Sequence, residues 1–94
     1  MLTYKYDSNI IRIQEIQNEK DVEFSIHILQ EKPYAKKMKQ VQKAFDENDV
    51  ITDVFFYVLL NHEYRVIVRR DFYADFVLEM MKQRLLQSVE WITT

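Results

Sequence analysis

Ser25 and His27 stand two residues apart in the run Val22-Glu23-Phe24-Ser25-Ile26-His27-Ile28. If that run is a strand, both side chains leave the same face, and with a nearby acid they have the residue types of a hydrolytic set. A serine nucleophile needs its base within hydrogen-bond reach, whereas same-face neighbours two apart lie roughly 7 Å from each other. No strained elbow and no oxyanion donor is recognisable beside them. The pair reads as ordinary polar residues on a strand, so no catalytic residue is assigned and the chain is not expected to be an enzyme.

Carboxylates offer a second chemistry. Asp46, Glu47, Asp49 and Asp53 gather in one stretch, and His62-Glu63 falls at an expected turn. Oxygen-rich loops hold Ca²⁺ or Mg²⁺, but this one lacks the glycine and the distal glutamate of an EF-hand, and the chain has only two histidines. A solvated acidic loop is the simpler reading. No metal and no cofactor is expected.

A third chemistry is phosphate binding. Lys32, Lys36, Lys39 and Lys43 recur at helical spacing and would form a ridge about 16 Å long, enough to meet several phosphates. Arg65, Arg69 and Arg70, with Phe56, Tyr57 and Tyr64 nearby, are the guanidinium and aromatic types on which single-stranded bases stack. The lysines alone are equally the wet side of an amphipathic helix. A small nucleic-acid-binding regulator using Lys32, Lys36, Lys39, Lys43, Arg65 and Arg69 is therefore the alternative expectation rather than the leading one.

Composition narrows the field further. The 94 residues include no glycine, which argues against P-loops, dinucleotide fingerprints and nucleophile elbows, all of which need it where the backbone turns left-handed or nears a ligand. They include no cysteine either, so disulfides, thiolate chemistry and cysteine-held metals are excluded and a cytoplasmic setting is expected. Thirteen basic against fifteen acidic residues leave a formal charge of −2, too little to draw the chain to nucleic acid or an anionic membrane by its overall field. The opening Met1-Leu2-Thr3-Tyr4-Lys5-Tyr6-Asp7 lacks a signal-peptide core, and no apolar run reaches membrane-spanning length, so no membrane association is expected.

Elements must position whatever these residues do. An apolar content of 48% in 94 residues fits one domain, 1–94. Leu2 to Tyr6 alternates as a short edge strand. Ile10–Gln17 and Val22–Gln30 form a hairpin around Asn18-Glu19-Lys20-Asp21, with Ile11 and Ile13 opposite the inward face of Val22, Phe24, Ile26 and Ile28. Pro33 opens a helix whose Tyr34, Met38, Val41 and Phe45 make the apolar stripe, ending near Asp46-Glu47-Asn48-Asp49. Val54–Leu60 and Glu63–Arg69 form a second hairpin; a two-residue turn at Asn61-His62 pairs Leu59 with Tyr64, Tyr57 with Val66 and Phe55 with Val68 on the helix-facing side. A long helix is expected from an N-cap at Asp71 to about Ile92.

The strand-strand-helix order occurs twice, with Tyr34-Ala35 matched to Tyr73-Ala74 at a spacing of about forty residues. These readings define an α+β domain of order (β)ββαββα, an antiparallel sheet of four or five strands with two helices on one face. They also leave an apolar surplus. In the expected register Phe56, Val58, Leu60 and Ile67 face away from the helices, and Val77, Met81, Leu85, Val89 and Ile92 overfill the stripe of the last helix. Monomers seldom expose such patches. The leading expectation is thus a non-enzymatic protein-interaction module that self-associates, as a homodimer, or binds another protein, through Phe56, Val58, Leu60 and Ile67 or through Val77, Met81, Leu85 and Val89.

Overall fold

A computed structural model describes residues 2–50 and 53–93 of the chain. Its elements are β1 (Leu2–Lys5), β2 (Ile11–Gln17), β3 (Asp21–Ile28), α1 (Glu31–Asp46), β4 (Val54–Val58), β5 (Glu63–Arg69), α2 (Tyr73–Lys82) and β6 (Ser88–Trp91). A single 3-10 turn, Arg70–Phe72, leads into α2. The class is α+β: strands in the order β2-β3-β5-β4 make an antiparallel sheet with both helices on one face. The candidate fifth strand stays out of that sheet. β1 pairs instead with β6, as a separate two-stranded ribbon.

The first hairpin follows its sequence pattern. Ile11 faces Ile28 and Ile13 faces Ile26 around Glu19-Lys20, and the Asn18 side-chain amide donates to the Asp21 carboxylate at 2.8 Å. Alternate residues of β3, Val22, Phe24, Ile26 and Ile28, are buried, each of the large ones contributing about 1.5–3 kcal/mol of transfer free energy. In α1 Lys32 is non-helical (φ −103°, ψ 123°), so the regular helix begins at Pro33. Its stripe buries Met38, Val41 and Phe45.

The core centres on Phe76 of α2, whose ring lies 4.7 Å from Phe24, 5.9 Å from Phe45 and 6.1 Å from Phe56, centroid to centroid. Sheet, α1 and α2 meet there. The sheet order also sets the two strand-strand-helix units, β2-β3-α1 and β4-β5-α2, back to back across the β3–β5 ladder.

Two expectations are corrected. The second hairpin is shifted by one residue: Val58 pairs with Tyr64, Phe56 with Val66 and Val54 with Val68. The Leu59 N–H donates to the Glu63 carbonyl, so the loop is Leu60-Asn61-His62 rather than two residues, with Asn61 and His62 left-handed at φ 59° and 60°. Because side chains alternate, the slip exchanges the faces. Val54, Phe56 and Val58 turn to the helices; Phe55 and Tyr57 turn away.

The last helix is the second correction. It does not run from Asp71 to Ile92 but ends at Lys82, and no side chain caps its start. Arg84 adopts φ 62°, the Arg84 N–H donates to the Met81 carbonyl and the Leu85 N–H to the Met80 carbonyl. These paired bonds are a Schellman stop, with arginine at the left-handed position that glycine usually fills. Buried Met80 and Leu85 supply its apolar contact. The overfull stripe is thereby divided: Val77 faces the core from α2, Leu85 and Leu86 from the turn, and Val89 packs from β6.

Candidate functional site

Every open sheet has two edges, and here they differ. Odd-numbered residues of β2 present their backbone outward, and two of those groups are taken: the Ile11 N–H donates to the Asp7 carbonyl at 3.1 Å, and the Ile13 carbonyl accepts the Tyr6 hydroxyl at 3.1 Å. Arg12, Gln14, Glu15 and Gln17 make the strand polar as well. Such devices keep an edge from pairing with another chain.

β4 has none of them. Leu59 N–H and Asp53 C=O point inward to β5, and antiparallel alternation therefore turns the N–H and C=O of Val54, Phe56 and Val58 outward. Among the described residues no group bonds them. From Val54 to Leu60 the chain carries no charge and no proline. Phe55 is 51% exposed, Tyr57 52%, Val58 58% and Leu60 84%. Beside the strand on the helix side lies an open recess lined by Lys39, Gln42, Lys43, Asp46 and Glu47 with Val58 and Tyr64. Lysines at one end and acids at the other give this rim both signs of charge.

The residues singled out from sequence are scattered by this fold. Val77 and Leu85 belong to the core, Leu85 because the early helix stop folds it under α2, and the hairpin slip turns Phe56 inward to a half-buried place against that core. Met81 and Val89 are half-buried and pack against the same core. Val58 and Leu60 are exposed at the β4 edge and the loop tip; Ile67 is half-buried on the helix-free face between Glu23 and Phe55. Exposed apolar side chains are densest along β4 and its loop tip, at Phe55 and from Tyr57 to Leu60, while Ile16, Leu29, Val50, Leu78, Trp91 and Ile92 stand exposed elsewhere.

Ser25 and His27 do share the helix-free face, where Ser25 lies between Gln14 and Arg65 and His27 between Arg12 and Glu63. The nearest carboxylate to His27 Nδ1 is Glu63, at 3.8 Å. Asp53 is held by Arg69 at 2.9 Å and Glu47 lies 4.0 Å from Lys43; no three His, Asp or Glu side chains cluster for a metal among the described residues. Lys32, Lys36, Lys39 and Lys43 are exposed on α1, while Arg65 and Arg69 project from the opposite face of the sheet. Arg70 Nε donates to the Asn18 and Glu19 carbonyls at 2.9 and 3.1 Å, clamping the β2–β3 turn. The basic groups do not form one surface.

Sequence reasoning missed one polar cluster. Glu15 follows Ile11 and Ile13 on the core side of β2, and its Oε2 accepts the hydroxyls of Tyr4 and, at 3.0 Å, Tyr73. Gln17 donates to its other oxygen at 3.0 Å. Burial first, and then the Glu15 carboxylate, push both phenols above their ordinary range. With both carboxylate oxygens bonded, the cluster ties β1, β2 and the start of α2 together and is structural. A glutamate in phase with two inward isoleucines was the available signal. No helix among the described residues is long and apolar enough to cross a membrane. Comparisons with family models, with curated proteins and with solved structures found no match to this chain.

Proposed function

We propose that the chain is a non-enzymatic protein-interaction module that associates through the edge of β4 and the tip Val58–Leu60. The observation that carries this reading is an uncharged apolar run on a bare strand edge, beside an opposite edge that is bonded and polar. Unpaired N–H and C=O groups supply directional bonds to an added strand, and Phe55, Tyr57, Val58 and Leu60 supply apolar area. Phe56 packs against Phe45 of α1 and Phe76 of α2 and so keeps that edge in place.

Sedimentation velocity across a concentration series tests the reading. The wild-type chain is expected to form a species larger than its 11.5 kDa at tens of micromolar. Tyr57→Lys and Leu60→Lys, both at exposed positions, should return it to the single chain with an unchanged far-ultraviolet circular dichroism spectrum. A wild-type chain that sediments as 11.5 kDa throughout removes the proposal.

A further inference from the structure

The β4 sequence reads almost the same in both directions. Val54-Phe55-Phe56-Tyr57-Val58 reversed is Val-Tyr-Phe-Phe-Val, which differs at two positions, each by a phenol hydroxyl. An antiparallel partner presents its sequence reversed, so a second β4 centred on the same residue opposes every side chain of this edge to one of its own apolar or aromatic kind. We infer that the partner is a second copy of this chain, paired antiparallel β4 to β4 about a two-fold axis through Phe56, which joins the two sheets into one of eight strands. This inference rests on the self-association reading tested above and adds the strand pairing and its register.

Three features select that register. The outward backbone groups belong to Val54, Phe56 and Val58, so only pairings that oppose these residues to each other form hydrogen bonds. Centring on Phe56 opposes Phe56 to its own copy and Val54 to Val58 of the second chain, and uses the whole strand; moving the axis to Phe55 or Tyr57 strands residues at both ends. On the helix-free face the same register sets Phe55 against Tyr57 in each half, aromatic on aromatic, in the closer non-hydrogen-bonded spacing where cross-strand pairs contribute most.

The absence of native cysteine makes the test clean. Phe55→Cys and Tyr57→Cys are prepared separately, mixed and oxidised. In the inferred register their Cα atoms lie about 4.5 Å apart, inside the usual disulfide range of roughly 4.4–6.8 Å. Cross-linking is expected several-fold faster in the mixture than in either variant alone. Equal rates, or faster cross-linking within Tyr57→Cys alone, overturn the register. Amide exchange of the unsubstituted chain guards against loss of association in the variants: protection at Val54, Phe56 and Val58 should rise with concentration. A dimer that sediments as such but leaves those three amides unprotected refutes the strand pairing and leaves self-association alone standing, while a monomer refutes both.

Discussion

Replacing Arg84 with glycine gives opposite signs for the two ways this sequence can be read. If a single helix ran from Asp71 towards Ile92, glycine at 84 would sit in its interior and cost about 1 kcal/mol. In the structure Arg84 is the left-handed residue of a Schellman stop, at φ 62°. A side chain with a Cβ carries roughly 1–2 kcal/mol of strain there. Glycine removes that strain but brings about 0.4–1 kcal/mol of extra unfolded-state entropy. The net expectation is a gain of about 0.5–1 kcal/mol, or ~2–8 °C in Tm for a domain of this size. Arg84 is exposed and no bond of its side chain enters the balance. Urea titration and thermal melts, run below the concentration of self-association, read the difference. Arg84→Ala is the control: alanine should stabilise a continuous helix and fail to stabilise a left-handed stop. A destabilised Arg84→Gly protein refutes the helix stop, and with it the origin of β6.

Two further outcomes follow from the placement of side chains. Phe56→Ala, which empties a half-buried site between Phe45 and Phe76, should lose about 1–3 kcal/mol of monomer stability, whereas Phe55→Ala should stay within about 0.5 kcal/mol; chemical denaturation at low concentration separates them, and the reverse ranking would restore the unshifted hairpin. The raised phenols of Tyr4 and Tyr73 hold their protons more tightly folded than unfolded, so their contribution is complete below the unfolded value near 10 and is lost as pH climbs above it. Stability measured in urea from pH 8 upward should be level at first and then fall, more shallowly for Tyr4→Phe.

The first hairpin and α1 were legible because their signals were local. β3 alternates strictly, Asn18 and Asp21 bracket the turn, and α1 has one apolar stripe opposite one lysine ridge. The second hairpin lacks that alternation: Val54 to Leu60 is apolar at every position, so neither face is marked and the register rests on loop geometry. The end of α2 carried no glycine or proline to announce it, and Leu85, Val89 and Ile92 continue a helical period into what is a turn and a strand. The candidate site was hidden for another reason. Its residues were visible as surplus apolar side chains, but whether a strand is central or an edge depends on strand order, a property of the assembled sheet.

The β1–β6 ribbon has a kinetic consequence. It joins Thr3 to Glu90, 87 positions along the chain, whereas the β2–β3 and β4–β5 hairpins close over turns of a few residues. Closing so long a loop gains nothing until the sheet and α2 exist to receive Leu2 and Val89. The ribbon should therefore be the last part to form and the first to open. It acts as a clasp: loosening either strand releases the other, and uncovers the Glu15 cluster before the hairpins separate.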